Sequence, residues 1–329
     1  MNGSKERSML LAMNNISPFE VKGNWYKGNL HCHSTVSDGK LAPEDVVSLY
    51  RGNGWNFLAF TDHRVFADWN KLGDEDFLII PGVELNVDAS KEGRPICYHI
   101  LGIQGGKPGQ HARLVRELRH GDRWEPAVWQ GIGSVQALID ELKSRNNHVI
   151  LCHPVWSLTE FEDLKDLEGY FAIEIYNHGC ELECHTGLST LYWDSLLKRG
   201  KRIWGVAVDD AHHRIQDECG GWVMVKAPSL TRSAIAEALV EGRFYSSSGP
   251  IIEGFGIDDG EAFVRSSPVK SIHFMTGPSR GESFHAAPGE SITTARYRLK
   301  GSELYVRAEC VDGHGKTAWT NPIFLAPVS

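Results

Sequence analysis

Residues 30–39 read Leu-His-Cys-His-Ser-Thr-Val-Ser-Asp-Gly. His31 and His33 stand two apart at the end of an apolar segment, and Asp38 follows five residues after His33. On a strand, positions i and i+2 face the same way. The two imidazoles can therefore share one metal ion while Cys32 points into the opposite layer. A His-x-His pair alone is a weak signal. Its weight depends on whether later strands bring further ligands to the same place.

They do. Thr61, Asp62 and His63 close the apolar run Phe57–Phe60, and Gly82, Val83 and Glu84 close Phe77–Ile80. His99 lies inside Ile96–Leu101, and His153 closes His148–Cys152. Asp210 and His212 follow Ile203–Val208. Strands of a parallel sheet are buried on both faces, so they read as short continuous apolar runs. In a barrel of such strands the carboxyl ends converge on one face. The candidate ligands are then His31, His33, Asp38, His63, Glu84, His99, His153, Asp210 and His212. Nine are too many for one ion of four to six ligands. Two or three ions fit better, with Glu84 as the bridge because a carboxylate has two oxygens.

The 329 residues suffice for one large domain and a small one. Hydrophobic content of 41% and charged content of 23% are ordinary for a globular chain. The net charge of −8 comes without a Lys/Arg cluster, so no nucleic-acid partner is expected. No apolar run approaches membrane-spanning length. The segment Met9–Met13 is too short for a signal sequence, which points to the cytoplasm. Seven cysteines at irregular spacing argue against a disulfide framework. Cys32, Cys97 and Cys152 are expected to pack as small apolar groups.

Residues 1–24 read as a lead-in. From about Trp25 strands and helices alternate. Strands are predicted near 27–33, 57–62, 77–84, 96–103, 148–153, 171–176 and 203–209. Helices are predicted from Pro43 to Gly52, Ser134 to Asn146, Leu188 to Arg199 and Thr231 to Val240, the second with a serine cap. Alternation of this kind implies a parallel α/β barrel of TIM type, short by one unit. Residues 104–133 interrupt it with glycines, arginines and two tryptophans; they read equally as a lid and as a surface insertion. After residue 248 short alternating runs replace helices: Val269–Met275, Thr294–Leu299, Leu304–Cys310 and Ala318–Leu325. They predict a small β-sandwich over 249–329.

These motifs resemble the PHP (polymerase and histidinol phosphatase) superfamily: HCHSTVSDG at 31–39, FTDH at 60–63, GVE at 82–84, the histidine of YHILGI at 98–103, CHP at 152–154 and DDAH at 209–212. The layout with a C-terminal β-domain resembles the CehA/McbA-type metallohydrolase branch. The resemblance implies a distorted (β/α)7 barrel holding two or three divalent ions, zinc, manganese or iron. It assigns His31, His33, Glu84 and Asp210 to one ion, Glu84, His99 and His153 to a second, and Asp38, His63 and His212 to a third.

The expected reaction is hydrolysis of a small phosphorylated substrate by a hydroxide bridging two ions, with Glu84 and Asp210 in the catalytic centre. His212 or His213 is expected to protonate the leaving group, with His213 favoured because it is not itself a ligand; His213 is also an expected substrate contact. Arg64, Asn177 and Trp156 are the other expected substrate contacts, with Glu174 orienting a ligand histidine. The alternative is hydrolysis of a carbamate, ester or amide by the same centre. An inactive binding module is the reading from another class, and the full ligand set argues against it. His178, Cys180, Cys184 and His185 match no zinc-knuckle spacing. The sequence leaves the oligomeric state open.

Overall fold

The first strands are β1 (Asn24–Asn29), β2 (Phe57–Phe60), β3 (Leu78–Lys91), β4 (Arg94–Gln104), β5 (Ala127–Val128), β6 (Asn147–Leu151), β7 (Ala172–Asn177), β8 (Trp204–Val208), β9 (Trp222–Ala227) and β10 (Phe244–Ser247). The helices are α1 (Pro43–Gly52), α2 (Gly133–Ser144), α3 (Phe161–Leu164), α4 (His178–Cys184), α5 (Thr190–Leu197) and α6 (Arg232–Val240). The structure is a computed structural model that describes residues 19–91, 94–106, 116–125, 127–278 and 280–325. Most of the expected lead-in, residues 1–18, lies outside the described residues, as do 107–115 and 126 of the expected insertion. Among the described residues no helix is long and apolar enough to cross a membrane.

The protein is a mixed α/β chain built on one large sheet with few helices. β1, β2 and β3 pair in parallel, as do β6, β7 and β8. Between these blocks the expected parallel order fails. β4 runs antiparallel to both β3 and β6. The reason is local: a parallel return needs a crossover of a dozen or more residues, and only residues 92 and 93 separate β3 from β4. The two strands form a long hairpin, with Glu84 opposite Leu101 and Asn86 opposite His99. β9 and β10, absent from the sequence reading, extend the sheet antiparallel beyond β1.

Side chains from seven strands meet in one buried core: Phe57, Ile80, Leu101, Ile150, Ala172, Val206 and Val225. Helix α6 packs on it through Ile235, Ala238 and Leu239. The free edge of β8 meets β10 through side chains. Ser246 Oγ donates to Gly205 O at 2.8 Å and accepts from Ala207 N at 3.0 Å. Asn321 Oδ1 accepts from Gly205 N at 3.1 Å. On the outer faces α1 buries Val46, Val47 and Tyr50 against Leu58 and Phe60. There α2 buries Val135, Ile139 and Leu142 in a cluster with Ile100 and Val149. The expected serine cap of α2 is not used: Ser134 lies inside the helix, and its hydroxyl accepts from Gln130 N instead. In the 104–133 segment, Leu118 is buried, Trp129 stacks on Tyr98 at 5.4 Å, and β5 pairs with β3.

The later strands are β11 (Ile252–Asp258), β12 (Glu261–Val269), β13 (Ser271–Gly277), β14 (Glu282–His285), β15 (Ile292–Arg298), β16 (Tyr305–Val311), β17 (Thr317–Thr320) and β18 (Ile323–Phe324). β11, β12 and β15 form a separate three-stranded sheet. Its Phe255, Val264 and Tyr297 share a core with Ile272, Phe274 and Val306 of β13 and β16. β13, β14, β16 and β17 continue the large sheet, because β17 pairs with β10. The two layers thus sandwich a core while one of them stays hydrogen-bonded to the rest of the chain.

Candidate metal centre

The first ligand pair is placed by the pairing of two segments just past strand ends. Asn29, the last residue of β1, accepts from both His31 N and Asp209 N. His33 N donates to Ala211 O and Asp210 N to His31 O, each at 3.0 Å. This short ladder sets His31 and His33 beside Asp210. His31 Nε2 and His33 Nε2 stand 3.1 Å apart, and each is 3.1 Å from Asp210 Oδ1. Cys32 between them is fully buried among Val46, Leu58 and Phe60, on the opposite face.

Glu84 stands at the middle of the cluster. His63 forms an isolated bridge with Glu84, and the next amide, Arg64 N, donates to Glu84 O at 2.8 Å. Glu84 Oε2 lies 3.3 Å from His31 Nε2, 3.2 Å from His33 Nε2 and 3.0 Å from His63 Nδ1. Glu84 Oε1 lies 2.8 Å from His99 Nδ1 and 3.4 Å from His153 Nε2. Five imidazoles therefore surround one carboxylate. Burial pushes the Glu84 pKa up, but the charges of His63, His31 and His99 hold it well below the usual carboxylate range. Burial alone would lower His33; its hydrogen bond to Asp210 and the neighbouring Glu84 carboxylate lift it to about 9. His99 is lifted to about 10, the Glu84 charge outweighing burial.

A third group comprises His33, Asp38, His63 and His212, with ligand atoms within 4.8 Å of one another. His212 Nε2 is 3.4 Å and His63 Nε2 3.8 Å from Asp38 Oδ1. The His33 ring stacks between His63 and His212.

The donor set fits divalent ions. Glu84 Oε2 is buried without a hydrogen-bond partner, although three imidazole nitrogens lie within 3.3 Å of it. Such an oxygen is costly unless something positive completes it. The outer nitrogens of the rings are fixed by other partners, as in many metal sites. His31 Nδ1 meets buried Glu174 Oε1 at 2.7 Å, His153 Nδ1 meets Ser157 Oγ at 3.0 Å, and His212 Nδ1 meets Asp210 O at 3.0 Å. In each case Nε2 is left for the cluster. Glu174 also accepts from His153 N at 2.9 Å, tying two candidate ligand histidines to one carboxylate.

A cavity of about 270 Å³ opens onto this cluster. Asp38, His63, Glu84, His99, His153, Asp210 and His212 line it, with Trp156, Glu183, Arg214 and Ile215 among its walls. Trp156 packs edge-on to His153 at 5.0 Å and donates through Nε1 to Glu183.

Two expected substrate contacts do not face the cavity. Asn177 is fully buried, and its amide is spent on Glu174 Oε2, Asp210 Oδ2 and Cys180 N. It supports Asp210 and caps α4. The His213 side chain, 3% exposed, turns away toward Cys32 Sγ at 3.8 Å and Glu218 at 3.6 Å. Its backbone has φ of 58°, which reverses the side-chain direction expected from its neighbour. Of the two candidate proton donors, His213 is therefore turned from the cavity, whereas His212 lines it. Arg64 lines a second cleft beside the first.

Arg214, the residue after His213, takes the cavity position instead. Its guanidinium donates to Asp38 O at 2.7 Å and Asp38 Oδ2 at 3.0 Å. Its signal in the sequence is the single arginine of DDAHHR, directly after the two histidines. Asp62 and Asp209, each next to a candidate ligand, are structural. Asp62 accepts from the amides and hydroxyls of Ser34 and Ser37, holding the 34–37 turn. Asp209 accepts from Tyr50 and from the amides of Cys219, Gly220 and Gly221; burial raises it to about 7. His178 pairs with Tyr176, and the His185 side chain is 91% exposed, so these two do not meet around a common ion.

No family model matches the chain. A 5'-3' exoribonuclease of Haemophilus influenzae is 36% identical over 115 residues, 31% of this chain and 40% of that protein. A phosphoribosyl 1,2-cyclic phosphate 1,2-diphosphodiesterase of Eggerthella lenta is 31% identical over 108 residues, again 31% and 40%. The chain thus spans about two fifths of the length of the curated relatives it matches. Among solved structures, a two-domain protein of Bacteroides vulgatus, described as containing a predicted PHP-like metal-dependent phosphoesterase, is similar with a TM-score of 0.49 at 16% identity. The match covers 92% of this chain and 96% of that one.

Proposed function

We propose that this chain is a metal-dependent hydrolase of phosphate esters, of the PHP type, acting on a small phosphorylated substrate. The observation that carries the reading is Glu84: a buried carboxylate with five imidazole nitrogens within 3.4 Å and one oxygen left without a hydrogen-bond partner. His31, His33, Glu84 and Asp210 would hold one ion, Glu84, His99 and His153 a second, and Asp38, His63 and His212, with His33 beside them, a third. Zinc, manganese and iron each suit imidazole and carboxylate ligands. Bound there, such ions lower the pKa of water toward ~7 and offset charge on phosphoryl oxygens.

The chain's own groups do the positioning. Glu174 and Asn177 hold His31 and Asp210 in place. Arg214 brings a guanidinium to the cavity wall, suited to a phosphoryl oxygen. Trp156 gives the cavity an apolar flank. Of the two curated relatives, one is named a cyclic-phosphate diphosphodiesterase and the other an exoribonuclease, and both names support phosphorus as the electrophile. One of them is named for RNA, so a nucleic-acid end stays among the substrates to be tested. The second reading is hydrolysis of a carbamate, ester or amide; Trp156 and Ile215 on the cavity walls favour it.

The same proposal takes 25–248 as a distorted (β/α)7 barrel, which the shared seven-strand core and the Ser246 seam support. It takes 249–329 as a β-sandwich beside it. Seven free cysteines support a reducing, cytoplasmic setting.

The test is a hydrolysis screen with manganese-, zinc- or iron(II)-loaded protein. Bis(4-nitrophenyl) phosphate, 4-nitrophenyl phosphate, a short 5'-phosphorylated RNA and a 1-naphthyl carbamate serve as substrates. Turnover of at least one phosphate ester is expected. Turnover of the carbamate alone would replace this reading with the second.

A further inference from the structure

A second cleft, about 450 Å³ in volume, adjoins the metal cavity and shares Asp38, His63 and His99 with it. Its other walls include Arg64, Asn86 and Arg123. The two arginines are 59 positions apart in the chain, and the fold brings them together through backbone bonds. Val65 and Arg123 form an antiparallel bridge, and Trp124 N donates to Arg64 O at 3.0 Å. On its other side Arg64 N donates to the carbonyl of Glu84, the central carboxylate. Arg64 is thereby held at φ of 55°, a left-handed conformation that costs a non-glycine residue energy and is retained where the surroundings impose it.

The arginine that lines the first cavity differs from these two. Arg214 is already paired with Asp38. Among the described residues neither Arg64 nor Arg123 has an ion-pair partner, and three acids near them in sequence or along the cleft wall are bonded to other groups. Asp62 is saturated by Ser34 and Ser37, Asp122 accepts from Arg119 N, and Asp88 accepts from Asn86. Two guanidiniums without an ion-pair partner among the described residues, on the wall of a cleft that shares His63 and His99 with the metal cavity, offer paired donors to an anion.

We propose that Arg64 and Arg123 bind a second anionic group of the substrate, a phosphate or a carboxylate, remote from the ester that is cleaved. The enzyme would then prefer molecules charged at both ends over simple alkyl phosphates. The inference rests on the phosphate-ester reading above. It goes further by naming the charge pattern of the substrate and the residues that read it.

The test compares wild type with Arg64→Gln, Arg123→Gln and the double variant, each metal-loaded and checked by circular dichroism. The substrates are alkanediol bisphosphates of three to six carbons, the matched alkyl phosphates, and ω-carboxyalkyl phosphates of the same lengths. Wild type is expected to favour at least one doubly charged substrate by about ten-fold or more in kcat/KM, the scale of a charge-assisted contact. The variants are expected to erase most of that ratio, the loss falling on KM rather than kcat. Preference for the carboxylates over the bisphosphates would identify the distal group as a carboxylate. A wild type without preference, or variants that keep it, would overturn the inference while leaving the hydrolase reading intact.

If no phosphate ester is turned over, the hydrolase reading fails, and the anion site is read directly. Calorimetric titration of inorganic pyrophosphate into metal-free protein should then show binding about ten-fold weaker in the double variant. Equal affinity would refute the site.

Discussion

Glu84→Gln is expected to remove nearly all hydrolysis and most bound metal. The amide keeps the shape of the side chain but changes what it offers. Its NH₂ group donates where the carboxylate accepted, and five imidazole nitrogens within 3.4 Å lose their shared negative partner. Taking one partner from a buried charged cluster costs about 3–5 kcal/mol, which as a barrier is a rate loss of roughly 10²–10⁴-fold. The check is kcat/KM for the best phosphate ester beside metal content by mass spectrometry. A variant that kept both within a few-fold of wild type would show that Glu84 is not the shared ligand.

The second large effect concerns stability and lies far from the cleft. Arg307 of β16 is fully buried, with its guanidinium 4.6 Å from the Trp193 ring. It makes a two-pronged contact with Asp194 of α5, at 2.9 and 2.6 Å, and a third bond to Glu309 at 2.6 Å. Tyr305 adds a hydroxyl to Asp194 at 3.1 Å. These bonds tie the C-terminal strands to a helix that covers β7. Arg307→Met fills similar space but leaves two carboxylates, each less than a fifth exposed, without their cation. The expected loss is about 3–5 kcal/mol, roughly 5 °C in Tm for a chain of this length. Thermal unfolding by calorimetry measures it. A shift below roughly 1 °C would mean that the Asp194 and Glu309 charges find water or other partners at little cost.

The candidate cluster was legible because its chemistry is concentrated in few residue types at strand ends. His31 and His33 obey the two-residue period, and the structure brings their Nε2 atoms within 3.1 Å. The period fails where the backbone turns left-handed. Asp210 and His213 have φ of 53° and 58°, so the order Asp210, Ala211, His212, His213, Arg214 does not alternate faces. That is why His213 leaves the cavity and Arg214 enters it. Asn177 was misplaced for another reason: a polar residue at a strand end is equally able to cap the next helix, and here it does.

The fold was legible in its parallel blocks and in its change to short strands after residue 248. The β3–β4 hairpin was hidden because both strands are buried on both faces near the site and show continuous apolar runs, as parallel strands do. Direction is set by the two-residue connection between them. The link between β10 and β17 was equally hidden, since pairing between segments some seventy residues apart leaves no local signal.

The central claim is that His31, His33, His63, Glu84, His99, His153, Asp210 and His212, with Asp38, form one multi-ion centre. Metal content of the purified protein, titrated with manganese, zinc and iron(II) after chelation, tests it most directly. Two or three ions per chain are expected, falling to one or none in Glu84→Gln. A wild-type chain that stays folded and takes up no ion from any of the three would contradict it.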